Sequence, residues 1–225
     1  MKALIHPAEA RRQFREYAES EITNANVARG ALLIALEDYP QLDVDEDLAT
    51  LNDLARRVSA RCSPVEPPVF RLGHLHSEMF DVDGYRGGES NYYDPRNAYL
   101  NEVIDRRIGL PLSLSIIFLH VAAAVGLTAF GVGLPAHFIV KVQFELNEVY
   151  VDPFHSGGTL TVAEIGALVS EMTGGRMRLE SEHLRSSTGR QILHRLLANL
   201  QSMWTKAGDL RKSASAGERM KLLQQ

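Results

Sequence analysis

Between Pro111 and Gly126 the chain reads P-L-S-L-S-I-I-F-L-H-V-A-A-A-V-G, and nearly every residue is apolar or small. A helix of this composition has no polar stripe to turn toward water, so it must be enclosed on every side by other elements. Pro111 suits its first position, where a missing N–H costs nothing, and Gly126 is placed to end it. The longest apolar run, Ile116 to Leu127, is broken by His120 and is too short to cross a bilayer. The chain is therefore expected to fold around this helix, and every other segment is expected to supply part of its cover.

Upstream, helical periodicity is predicted from Pro7 to about Glu19, from Asn24 or Asn26 to just before Pro40, and from Asp43 to about Cys62. Asp45, Glu46 and Asp47 lie in the first turn of the third, where acidic groups favour the helix dipole. This block, residues 1–63, is expected to be a helical subdomain packed beside the centre. Pro64, Pro67 and Pro68 read as a short stiff linker. Val69 to Phe80 is predicted helical, and Asp81 to Asn91 is expected to be a glycine-rich loop. Asp81-Val82-Asp83-Gly84 hints at a calcium loop, but the remaining acidic ligands and the terminal glutamate are missing, so no metal is expected. Asp94-Pro95 signals a turn, followed by a helix to Gly109. Arg106 and Arg107 are expected to form ion pairs with Asp94 and Asp105.

Beyond the central helix, Phe130–Gly133, Phe138–Phe144 and Glu148–Asp152 read as strands by their β-branched and aromatic content. His137 stands where the second enters the sheet and Asp152 where the third leaves it. Neighbouring antiparallel strands can set these two side chains together, which lifts His137 above an ordinary core histidine. Ser113 and Ser115 occupy the first turn of the central helix, where free backbone N–H groups favour a nucleophile or an anion; alternatively both hydroxyls satisfy local backbone groups. Thr161–Thr173 is predicted helical, and residues 188–225 a helical hairpin turning at Gly208-Asp209. A core of residues 69–185 is thus flanked by two helical units.

The strings Y-Y-D-P-R-N-A-Y-L-N-E-V-I-D-R-R-I-G-L-P-L-S-L-S, P-A-H-F and D-P-F-x-x-G-G resemble the SirB family of the transglutaminase-like superfamily, over most of residues 20–160. The resemblance implies an α+β, papain/transglutaminase-like core, a bacterial cytoplasmic setting and tetratricopeptide-like helices at the C-terminus, to which the 188–225 hairpin is similar. It also implies a nucleophilic cysteine at the start of the core helix, a histidine and an aspartate. His137-Phe138 and Asp152-Pro153 match the last two, but the cysteine position falls on Pro111. Ser113 lies two residues further on, about 200° around the helix. Cys62, the single cysteine, matches no part of the motif.

Two functions follow, and they stay open at this point. One is a non-catalytic peptide- or protein-binding or regulatory module; the other is an amide-bond hydrolase or acyltransferase using Ser113, His137 and Asp152. A net charge of -4 provides no field for recruiting nucleic acid or an anionic membrane. No cofactor is expected.

Overall fold

The computed structural model describes residues 4–63 and 65–224, so Pro64 of the expected linker lies outside the described residues. Four helices lead the chain: α1 (Pro7–Ala18), α2 (Val27–Leu36), α3 (Val44–Arg61) and α4 (Pro68–His76). Asp43 caps α3 by accepting from the N–H groups of Asp45 and Glu46, which satisfies two of the donors that a helix start leaves unpaired. The helix expected over Val69–Phe80 changes pitch after His76, and Ser77–Val82 is a π-helical turn. A short parallel pair follows, β1 (Arg86–Gly87) with β2 (Ile108–Gly109), bracketing α5 (Leu100–Arg106).

Arg107 takes a left-handed conformation that ends α5. The ion pairs expected around it form differently. Asp94 is taken by Arg96 at 2.7 Å, Arg106 donates to Asn97 at 3.2 Å, and the Arg107 guanidinium lies over the Tyr85 ring, 4.7 Å from its centroid.

The central helix α6 spans Pro111–Ala124. It ends in a glycine-closed motif: Gly126, at φ +76, donates to Ala123 and Leu127 donates to Ala122, satisfying carbonyls that the helix leaves open. The sheet is an antiparallel meander in the order β3 (Thr128–Leu134), β4 (His137–Gln143), β5 (Glu148–Asp152) and β6 (Gly158–Leu160). The last strand is not among the three read from the sequence. One face of the sheet sends Phe138, Val140, Val142 and Val151 into the main core around α6, while Val132, Leu134, Ile139 and Tyr150 pack with Ile165 and Val169 of α7 (Val162–Met172).

The chain closes with α8 (Gly189–Lys206) and α9 (Leu210–Leu222). This hairpin docks on the main body. Leu193, Leu196, Leu197 and Leu200 of α8 and Ala216 of α9 belong to the same buried cluster as Phe14 of α1, Leu32 of α2 and Phe118 of α6. Gly30 lets the contact close, because a Cβ there would meet Leu193 at 2.5 Å. All three stretches delimited in the sequence thus feed one core. No helix among the described residues is long and apolar enough to cross a membrane.

His120 is the one strongly polar side chain along α6. Its Nε2 meets Asn52 at 2.9 Å, and burial pushes its pKa below the ordinary histidine value of 6.5. Because the folded state resists protonation, the unfolded chain binds the proton first as pH falls. The neutral ring's contribution is complete above pH 6.5 and declines as pH drops through that value toward the lower folded pKa. Denaturant midpoints at pH 7.5 should exceed those at pH 5.5, and His120→Leu should flatten the difference; an unchanged slope in the variant would exclude His120 as its source.

Candidate functional site

The register pairs Val140 with Val151, so the start of β4 and the end of β5 lie at the same end of the sheet. Two residues join β3 to β4, Pro135 and Ala136, with Ala136 left-handed at φ +60. This turn delivers His137 to the sheet margin. After Asp152 the chain makes a short 3-10 turn, Pro153–His155, capped by Asp152 itself.

The two strand-borne groups meet. His137 Nε2 lies 2.8 Å from Asp152 Oδ2, and each residue is only 1% exposed. The other carboxylate oxygen, Oδ1, accepts from the backbone N–H groups of Phe154 at 3.0 Å and His155 at 3.4 Å. Burial pushes the Asp152 carboxyl up, but the hydrogen bonds and charges of His137 and His155 outweigh it and hold the group below the usual carboxylate range. His137 Nδ1 is buried and has no hydrogen-bond partner among the described residues. The His137 ring stands edge-on to Phe154, with centroids 6.0 Å apart.

Two side chains at this site escaped the sequence reading. His155 places Nδ1 2.7 Å from the same Oδ2 that His137 uses, and its side chain is 48% exposed. The available signal was its spacing, three residues past Asp152 across a proline, which suits one tight turn. The second is Arg195 of α8, which donates to the carbonyls of Leu134 at 2.9 Å and His137 at 2.7 Å. It clamps the β3–β4 turn and ties the C-terminal hairpin to the site. Burial lowers its pKa. Nothing local in the sequence connects a residue 58 positions away to that turn.

The start of α6 carries no acid–base partner for this pair. Pro111 is buried at the first helical position and has no group that can attack. Ser113, 1% exposed, donates to Asn97 O at 2.7 Å and accepts from Leu110 N at 2.9 Å. Ser115 donates to Pro111 O at 2.7 Å. Both hydroxyls thus serve backbone groups nearby. Cys62 lies at the end of α3, its Sγ 3.3 Å from Val58 O.

A buried helix against a small antiparallel sheet, with a histidine and an aspartate hydrogen-bonded across adjacent strands, defines a transglutaminase-like core. The chain belongs to the transglutaminase-like superfamily, whose family model matches residues 46–198, and within it the chain belongs with the UPF0162 proteins. It is 31% identical over 193 residues to a UPF0162 protein of Xylella fastidiosa, covering 84% of this chain and 69% of that one. A UPF0162 protein of Pseudomonas aeruginosa is 27% identical over 179 residues, covering 80% and 65%. Mouse F-box only protein 21 is 28% identical over 149 residues, which are 61% of this chain and 22% of that much longer one. No solved structure matches.

Proposed function

We propose that this protein is a non-catalytic transglutaminase-like module that binds a peptide or protein partner, and that its affinity lies with the SirB-type regulatory proteins of the bacterial cytoplasm. The observation that carries the proposal is an intact but enclosed His137–Asp152 couple beside a helix start whose hydroxyls are both taken by backbone groups, where the resemblance sets Pro111 at the position of the nucleophile. Acyl transfer needs an attacking group within reach of its base. The nearest hydroxyl, Ser113, is instead committed to Asn97 and Leu110. The likeness to one-fifth of an F-box protein is consistent with a core that works as a part within larger assemblies.

The partner surface in this proposal is a groove between the Pro67–Val69 segment and the β4–β5 turn. It encloses about 810 Å³ and is lined by Val69, Leu127, Phe144, Leu146 and Val149. Leu146 is 98% exposed and Val69 52% exposed, so apolar area there is open to a partner's apolar side chains. The helical hairpin, tetratricopeptide-like in this proposal, acts as a brace for the site through Arg195.

A photo-crosslinking residue in place of Leu146 should capture a protein partner in cells, whereas the same residue in place of exposed Arg211 on α9 should not. Equal yields at the two positions, or none at either, would remove the groove from the proposal. A fluorophosphonate probe should leave the wild type unlabelled. Labelling that disappears in Ser113→Ala would establish the hydrolase in its place.

A further inference from the structure

His137, Asp152 and His155 form a cluster that the pairing of histidine with aspartate does not explain. A couple on adjacent strands needs one imidazole. Here a second imidazole from the following turn converges on the same carboxylate oxygen, with Oδ2 at 2.8 Å from His137 Nε2 and 2.7 Å from His155 Nδ1. All three donor atoms lie within 4.8 Å of one another. We propose that these three side chains bind a divalent first-row transition-metal ion, with two imidazole nitrogens and one carboxylate oxygen as ligands.

The donor set suits such an ion. Imidazole with carboxylate selects metals of the zinc, cobalt and iron class over calcium and magnesium, which prefer oxygen alone. With metal–ligand bonds of about 2.1 Å, donors separated by the two short distances subtend roughly 80–85° at the metal. That is the angle between neighbouring ligands around a five- or six-coordinate centre. The His137–His155 separation, no more than 4.8 Å, needs at most about 0.6 Å of closure to come within two bond lengths, about 4.2 Å. His155 can supply that movement, because its side chain is half exposed on a short turn.

The surroundings supply support and access. Oδ1 of Asp152 is held by two backbone N–H groups, which orient the carboxylate much as partners outside the ligand set do in metal sites. The exposed side of His155 opens on a cleft of about 770 Å³, where Arg86, Glu89 and Ser90 also lie. An ion would reach the cluster from this side, past His155, and water or a ligand in the cleft would fill its remaining positions. Without metal, both imidazoles donate to Oδ2. On binding, each presents that nitrogen's lone pair and carries its proton on the other ring nitrogen. For His137 the other nitrogen is Nδ1, which has no acceptor among the described residues. Missing support of that kind commonly costs about 10–100-fold in affinity, so binding is expected in the micromolar range.

The inference does not depend on the binding-module proposal, and its test reads metal affinity alone. The full chain, stripped with chelator, is titrated with Zn²⁺ and with Co²⁺ by calorimetry, and the Co²⁺ form is followed by visible absorption. One equivalent should bind, with a Co²⁺ spectrum characteristic of nitrogen and oxygen ligands. His155→Ala should weaken binding by about 100-fold, in proportion to losing one of three ligands, whereas His183→Ala on the exposed turn before α8 should leave it unchanged. Because His155 is half exposed, its variant should fold, and circular dichroism checks that. No binding by the wild type at millimolar metal, or equal affinity in wild type and His155→Ala, would overturn the site.

Discussion

Replacing Asp152 with alanine is expected to lower the unfolding free energy by about 4 kcal/mol, since a buried charge partner and several hydrogen bonds disappear together. The carboxylate accepts from His137 Nε2, His155 Nδ1 and the N–H groups of Phe154 and His155. Truncation leaves His137, 1% exposed, with neither ring nitrogen paired. The two donors of His155 are only part-buried and lose less. For a domain of this size the melting temperature should fall by roughly 8–16 °C, at about 2–4 °C per kcal/mol. The double variant Asp152→Ala with His137→Phe should recover much of the loss, because removing both partners avoids stranding one of them. Equal destabilisation in the single and double variants would mean that the cost arises from the carboxylate's cap on the 153–155 turn. A fall under about 1 kcal/mol, the worth of one ordinary hydrogen bond, would show that the couple does little to hold the two strands.

Arg219→Ala is the second large effect, expected to cost about 3 kcal/mol by breaking a buried charge cluster from one side. Arg219 is 1% exposed. Its Nη1 donates to the carbonyl of Ile34 at 2.5 Å, and its guanidinium lies 3.8 Å from Glu37 and 3.6 Å from Asp38. The same acids receive Ser215 at 2.6 Å and Tyr99 at 2.7 Å, and Tyr99 in turn accepts from Trp204 at 2.9 Å. The end of α2 and the hairpin are therefore joined through a polar seam buried at Arg219, whose loss leaves the Ile34 carbonyl without its donor. Arg12 is the contrast. It pairs with Glu9 and Glu16 on the surface of α1 with 57% of its side chain exposed, and Arg12→Ala should be indistinguishable from wild type by denaturant midpoint. Limited trypsin digestion of Arg219→Ala should cut within α9 well before the rest of the chain. A single cooperative transition with unchanged proteolysis would mean that the apolar packing of α8 alone seats the hairpin.

Much of the architecture was legible because it rests on local pattern. The uniform apolar run of α6, Asp43 before acidic residues at the start of α3, and the β-branched and aromatic content of β4 each respond to neighbours within a few positions. The expected approach of His137 to Asp152 also required only the assumption that consecutive strands pair. Short elements were harder. β6 has three residues, too few to show a period, and the π-helical turn at Ser77–Val82 shares its apolar spacing with an ordinary helix. Arg106 and Arg107 were misplaced for another reason: long charged side chains choose among several partners, and the left-handed turn at Arg107 turned it onto Tyr85.

The order of residues alone established that the central helix must be covered on all sides and that its first position is a proline, which carries no group that can attack. Those are facts of composition at fixed positions, and folding cannot alter them. The enclosure of the histidine and aspartate, the arrival of His155 at the same oxygen, and the seating of the final hairpin through Arg195 and Arg219 belong to the tertiary structure. Each depends on which surfaces come together around α6, and that is settled by the shared burial of segments from both ends of the chain rather than by any one stretch of it.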